Sequence, residues 1–353
     1  MSLTPLPADE ALARLDHYDT VIDARSESEF AQDRVPGAVN WPSLDDAERA
    51  EIGTQYSQGS AFEAKKRGAA LVARNIAAHI EREVMTRPKD WAPLVYCWRG
   101  GKRSGALATV LDQIGFRVHL LEGGYRDYRR AVVAALPALA KALDFRVLCG
   151  PTGSGKSLLL QALASQGAQV LDLEALANHR GSVLGLVPGA RQPSQKAFDS
   201  LLWDVLRKLD PTRPVFVESE SKKIGDVRVP DALIDRMRAA PCVWLEVALE
   251  DRVDLLMREY DFFVNDVDTF CTRLDALREL RGHGVVSDWQ ASAHAGQTPE
   301  VVRDLLVRHY DPIYLQSMRR NFPGLEAPAV AVCWDGSIEG LSDAAARLHA
   351  GSA

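Results

Sequence analysis

Two stretches of this 353-residue chain repeat one grammar, and that grammar limits the fold more than any other feature. A short apolar run enters a glycine-rich loop, and the loop opens an amphipathic helix. The first instance is a strand at 94–96, a loop at 97–103 and a helix from Ser104 to about Ile114. The second is a strand at 145–149, a loop at 150–156 and a helix from Ser157 to about Ser165. Such units build parallel α/β sheets, which place ligands at the carboxyl ends of their strands. Further short runs at 20–22, 118–121, 170–172, 215–217, 243–247 and 330–332 read as strands, and 35–40 as a turn plus strand. Residues 61–86 and 125–136 read as helices, with Pro137 weakening continuation of the second. The stretch 251–320 is mostly helical. A boundary near 137–144 gives two domains, 1–140 and 141–353, as the length suggests.

The balance of 46% hydrophobic and 25% charged residues is that of an ordinary globular protein. No apolar run is long enough to span a bilayer, and no secretory leader opens the chain, so a cytoplasmic protein is expected. Five cysteines without CxxC spacing argue against a zinc site or a disulfide framework. With a net charge of -6, nucleic-acid contact has to come from a local basic face. Residues 97–130 carry seven Arg and Lys against three acidic residues, a weak signal alone.

The loop Cys97-Trp98-Arg99-Gly100-Gly101-Lys102-Arg103-Ser104 aims backbone N–H groups at one point beside a helix N-terminus. Those dipoles, with Arg99, Lys102 and Arg103, stabilise a thiolate, which makes Cys97 a nucleophile at neutral pH. The same cradle suits a persulfide or perselenide. Cys149, Cys242, Cys271 and Cys333 lack such loops and read as structural. The segment 150–157 matches G-x-x-x-x-G-K-[ST]. The backbone of Gly150, Thr152, Gly153, Ser154 and Gly155 would wrap a diphosphate, Lys156 would neutralise it, and Ser157 could reach magnesium. The motif leaves open whether the diphosphate belongs to a nucleotide or to another ester. Glu218, with Glu220 following, could act as the metal or water partner or simply end a solvated strand, and Asp172 is a further candidate. His179, Arg180 and Ser182 form a second candidate anion contact.

Taken together, these residues resemble a known pairing. Asp23-Ala24-Arg25 with Glu29-Phe30, the 35–40 stretch and the cysteine loop resemble a rhodanese domain. Arg34 departs from the histidine usual before the turn. Its fusion to a P-loop domain is similar to the tRNA 2-selenouridine synthase family. More specific are Glu48-Arg49, Gly53-Thr54-Gln55-Tyr56, the blocks at 64–77, 97–104 and 122–129, the phosphate loop, 179–182 and 218–225. The resemblance implies a rhodanese-like three-layer domain followed by a P-loop NTPase-like parallel-sheet domain with a helical C-terminal part. It also implies a transferase that converts 2-thiouridine at the tRNA wobble position to 2-selenouridine. The intermediate would be S-geranyl-2-thiouridine, with geranyl diphosphate and selenophosphate as co-substrates. Cys97 would carry selenium, a selenophosphate-producing enzyme would be a partner, and 150–157 would hold the geranyl diphosphate. Lys65, Lys66, Arg67, Arg126, Arg129 and Arg130 would then contact tRNA phosphates, with Trp98 and Tyr125 available for base stacking. Two rivals stand beside this reading. One is a rhodanese-type sulfurtransferase with a regulatory nucleotide-binding domain; the other is an ATP-dependent small-molecule kinase fused to an inactive rhodanese-like module.

Overall fold

The computed structural model describes residues 3–99, 101–179, 191–259 and 266–351. The chain forms two compact units, Met1–Leu136 with Pro193–Asp204, and Pro137–Gln192 with Val205–Ala353. In the first, β1 (Thr4–Leu6), β2 (Thr20–Asp23), β3 (Val39–Asn40), β4 (Pro93–Tyr96) and β5 (His119–Leu121) form a parallel sheet ordered β1-β5-β4-β2-β3. All four residues of β4 are buried, as expected of an apolar strand at the middle of a parallel sheet. The chain steps from β2 outward to β3, returns to β4 and then moves the opposite way to β5. That reversal leaves the carboxyl end of β4, where Cys97 stands, at a topological switch point.

The helix predicted over 125–136 runs from Gly124 to Ala142 with Pro137 inside it. Tyr125, Tyr128, Val132, Leu136 and Ala140 make one buried stripe on both sides of the proline, and that packing outweighs the lost hydrogen bond. The helix Ala61–His79 ends in a π turn, Ile80–Val84, where the sequence suggests a continuous helix. Glu48, in the helix Asp46–Gln58, accepts hydrogen bonds from Arg74 and from Asn75 Nδ2 (2.6 Å), so two of the motif blocks close on each other.

The segment 193–204 is the main surprise. It contributes a helix, Gln195–Leu206, whose Phe198, Leu202 and Trp203 are buried. Trp203 meets Tyr128 edge-on at 6.2 Å, and Ser194 Oγ donates to the Gln32 carbonyl at 2.6 Å. Sequence reading finds no helix here and counts the segment with residues 141–353.

In the second unit, β6 (Asp144–Cys149), β7 (Gln169–Leu171), β8 (Pro214–Glu218), β11 (Cys242–Glu246) and β12 (Val330–Cys333) form a parallel sheet ordered β12-β11-β6-β8-β7. A small antiparallel pair, β9 (Lys223–Ile224) and β10 (Val227–Arg228), follows β8 in the chain. Leu148, Phe216, Val243 and Leu245 from the sheet pack with Leu159, Leu160 and Leu163 of the helix Lys156–Ser165 and with Ala344, Ala345 and Leu348 of the helix Ile338–Ala350. A helical part gathers Phe270, Leu274, Val286, Trp289, Val301 and Leu305 into its own core. No described helix is long and apolar enough to cross a membrane.

Candidate functional site

Cys97 lies at the end of β4, 3% exposed, and its Sγ accepts a hydrogen bond from Ser104 Oγ at 3.1 Å. The helix Lys102–Ile114 begins immediately beyond the loop, so its N-terminal dipole faces this region. Tyr125 N–H donates to the Cys97 carbonyl at 2.7 Å and Arg126 N–H to that of Trp98 at 3.1 Å, which ties the loop to the start of the next helix. Beneath lies a buried polar frame. Arg25 clasps Asp23 through 2.6–3.1 Å contacts and lies 3.9 Å from the Tyr125 ring centroid. Tyr125 Oη in turn donates to Asp33 at 2.7 Å. The Asp23-Ala24-Arg25 motif is thus the floor that holds this loop, not a set of reacting groups.

Arg99 and Lys102 are exposed beside Cys97, whereas Arg103 turns to Glu29 at 2.9 Å. Gly100 lies outside the described residues. Trp98 stacks on Tyr125 with centroids 5.4 Å apart. Only Trp98 offers an accessible ring, since Tyr125 is buried, which corrects the expectation that both stack on bases. Among the expected RNA contacts, Lys65, Lys66 and Arg67 are exposed, with Lys66 paired to Glu63 and Arg67 to Glu51. Arg126 and Arg130 both reach Asp127 and remain largely exposed. Arg129 does not fit that expectation. It is turned inward and held by Asp199 (2.9 Å), the Lys196 carbonyl (2.9 Å), Ser200 Oγ (3.1 Å) and Asp33 (3.6 Å).

The second centre is a cavity of about 540 Å³ over the phosphate loop. Thr152, Gly153, Gly155, Lys156 and Ser157 line it, and Gly150 and Ser154 complete the loop behind. Gly155 has φ +76°, and a Cβ there would lie 2.4 Å from Trp334 Cζ2, so glycine is required on two counts. Trp334 Nε1 donates to the Ser154 carbonyl at 3.2 Å. Arg252, buried, donates to the Thr152 carbonyl (2.9 Å) and grips Asp311 with two hydrogen bonds (2.9 and 2.6 Å), which fixes the loop from outside. Lys156 Nζ donates to the carbonyls of Gly150 (3.0 Å) and Pro151 (3.3 Å). Burial opposes its charge, but Tyr314, Glu218, Glu174 and Glu220 outweigh that and hold its pKa above the usual lysine value.

Glu218, at the end of β8, and Glu220 join Glu174 with carboxylate oxygens within 4.8 Å of one another. Burial, then the charges of Glu174 and Glu220, push Glu218 well up; burial, then Glu174, push Glu220 to about 8. These oxygens are the hard donor set that suits magnesium, and Ser157 Oγ stands 3.4 Å from Glu174 Oε2. Asp172 also lines the cavity but stands outside that trio, and it caps the short helix Leu173–Ala177, accepting from Ala175 N–H at 2.8 Å. His179 lines the same cavity; burial lowers its pKa, and its Nδ1 has no hydrogen-bond partner among the described residues. Arg180 and Ser182 lie outside the described residues. Cys149, Cys242 and Cys271 are buried, while Cys333 is exposed.

Sequence reasoning missed Glu174, Arg238, Arg252 and the wall formed by the helix Asp311–Asn321. Arg252 and Asp311 carried no signal, because the pair is 59 residues apart in sequence.

Comparisons with known proteins fall on the same two units. A family model described as the tRNA 2-selenouridine synthase AAA domain matches residues 143–282, and one described as a rhodanese-like domain matches residues 7–131. Curated relatives bearing the name tRNA 2-selenouridine synthase include that of Alcanivorax borkumensis, 32% identical over 85% of this chain and 90% of the relative. That of Bdellovibrio bacteriovorus is 34% identical over 91% and 94%. The relative from Nitrosomonas europaea is 36% identical over 68% of this chain, and the match spans 63% of its length.

Proposed function

The chain belongs to the tRNA 2-selenouridine synthase family, and from that premise we propose that it replaces the sulfur of 2-thiouridine in tRNA by selenium in two steps at two centres. In the first step, geranyl diphosphate sits in the phosphate-loop cavity. The thiocarbonyl sulfur attacks its C1, the C–O bond breaks and diphosphate leaves, its charge met by Lys156 and the loop amides. In the second step, the Cys97 thiolate adds to C2 of the S-geranyl base and expels geranylthiolate. The selenium of selenophosphate, already at the selenide level, then displaces the Cys97 thiolate at C2 while water takes the phosphoryl group as phosphate, so that no oxidant or reductant is needed. The observation that carries the first step is a cavity with a cationic phosphate loop on one side and, on another, a helix wall where Ile313, Tyr314, Met318 and Phe322 stand beside Ser317 and Asn321, which gives a hydrocarbon end of the ester apolar surface to meet. For the second, support comes from Cys97 at a helix N-terminus with Arg99 and Lys102 exposed beside it.

Magnesium at Glu174, Glu218 and Glu220 would supply further charge neutralisation to the departing diphosphate. Lys65, Lys66, Arg67, Arg126 and Arg130 are the cations left to meet tRNA phosphates, in a cytoplasmic setting where the tRNA and the selenophosphate-producing enzyme are at hand.

The test is direct. Full-length protein is incubated with 2-thiouridine tRNA and geranyl diphosphate, then with selenophosphate, and the nucleosides are analysed by mass spectrometry. Wild type should yield S-geranyl-2-thiouridine and then 2-selenouridine. Cys97→Ser should stop at the geranylated base, and Lys156→Ala should fail to form it. Unmodified tRNA from active wild-type protein would sink the reading, and turnover of thiosulfate without RNA would favour a plain sulfurtransferase.

A further inference from the structure

One wall of the cavity enters the reading above only as a surface, with no role given to its individual residues. It is a wall of the helix Asp311–Asn321, where Tyr314 and Met318 stand one turn apart, with Phe322 following at the same spacing and Ile313 alongside, while Ser317 and Asn321 border the same cavity as its polar margin. Leu256, from the helix Leu249–Glu259, extends this apolar lining close to Gly153. Met318 and Phe322 are each 3% exposed, whereas Ile313 is 49% exposed although it is aliphatic and borders the cavity.

Tyr314 occupies the polar end of this row. Its hydroxyl lies 3.3 Å from Ser219 Oγ, which fixes the ring, and the ring centroid lies 5.2 Å from Lys156 Nζ. The ring therefore already receives a cation in this cavity. An ammonium that neutralises a bound diphosphate sits within a few bonds of the ester oxygen and of the carbon attached to it. A ring next to that ammonium is therefore next to the carbon. Aromatic faces attract positive charge, the more so where water is excluded.

We propose that this helix face is the subsite for the hydrocarbon chain of the diphosphate ester, with the Tyr314 ring against the reacting allylic carbon and Met318 and Phe322 against the chain beyond it. The inference rests on the prenyl-transfer reading given above. As the C1–O bond breaks, its electron pair leaves with the diphosphate oxygen, and the allyl group carries positive charge over C1 and C3. The ring face stabilises that charge while the sulfur lone pair closes the S–C1 bond, and the N3 proton of the base passes to water. Burial holds the Tyr314 hydroxyl protonated, so the ring meets the cation as a neutral phenol.

The experiment is single-turnover geranyl transfer to 2-thiouridine tRNA by the full-length protein. Tyr314 is replaced by phenylalanine and by phenylalanines of increasing ring fluorination, which keep the shape and drain charge from the face. Tyr314→Phe should stay within about threefold of wild type, and Tyr314→Leu should lose about 10- to 30-fold in rate. Across the fluorinated series the logarithm of the rate should fall stepwise while the apparent affinity for geranyl diphosphate stays constant. A flat series, or wild-type turnover by Tyr314→Leu, would overturn the proposal while leaving prenyl transfer intact. If wild type forms no S-geranyl base, the parent reading fails first, and that is seen before any variant is examined.

Discussion

Replacing Arg129 by alanine separates two roles that sequence alone cannot distinguish. Its side chain is 13% exposed and bound to Asp199, Lys196, Ser200 and Asp33. Removing it leaves a buried carboxylate, Asp33, and a partly buried one, Asp199, short of their cation, which costs about 3–5 kcal/mol. Arg126 and Arg130, with side chains 45% and 66% exposed, each pair only with Asp127 among the described residues. Their alanine variants should stay within about 0.5 kcal/mol of wild type. The assay pairs urea unfolding with tRNA binding across a salt series. Each of Arg126→Ala and Arg130→Ala should make the logarithmic salt dependence shallower by about 0.7–0.9 for every phosphate that the variant no longer neutralises. Arg129→Ala should lower the unfolding midpoint and, measured under conditions where it is folded, leave the salt slope unchanged. Arg129→Lys should still lose about 1–3 kcal/mol, because one ammonium cannot replace a fork that meets four partners. An Arg129→Ala protein as stable as wild type, with a shallower salt slope, would refute the assignment of this residue to the interior.

Three further outcomes follow from local geometry. Gly155→Ala combines a left-handed backbone with a Cβ 2.4 Å from Trp334, so calorimetry should show the second unit destabilised by about 2–4 kcal/mol and diphosphate binding lost. His79 is held neutral: Nε2–H donates to the Pro42 carbonyl (3.0 Å), Nδ1 accepts from Arg82 (3.1 Å), and burial lowers its pKa below the usual 6.5. Below pH 6.5 the unfolded chain takes up a proton that the fold resists, so stability drops as pH falls, and His79→Gln should flatten that drop in thermal melts. Glu220 has the opposite sign. Its carboxyl titrates at about 8 against an ordinary 4.5, so wild type loses stability as pH rises between those values. Glu220→Gln should gain on wild type progressively over that window, and a constant difference would contradict it.

The shape of the phosphate loop was legible because its parts adjoin in sequence: strand, glycines, Lys156, Ser157 and the helix start follow one another. The same holds for the Cys97 loop, where strand, turn and helix start are contiguous. Wherever a side chain's role depends on a distant partner, the sequence misled or was silent. Arg129 looked like its neighbours Arg126 and Arg130, since nothing local announces Asp199 across 70 positions. Tyr125 carried the right ring for stacking on bases, but Arg25 and Trp98 already occupy its faces. Glu174 sits on a helix of five residues, too short to show periodicity, and β1 is three residues long and contains Pro5. Pro137 was read by its local cost, and the buried stripe on either side of it decided otherwise.

The helix around Phe198 also sets a schedule for synthesis. The first unit comprises Met1–Leu136 and Pro193–Asp204, so its last covering piece is translated about 70 residues after the rest. At about 5–20 residues per second, a ribosome needs about 4–14 s to make that stretch. During that interval Tyr128 lacks Trp203 and Arg129 lacks Asp199, leaving an apolar and charged seam open to solvent. The amino-terminal half therefore cannot finish folding as it emerges. It waits for the chain to pass through the phosphate-loop strands, and the nascent protein completes its earliest part late.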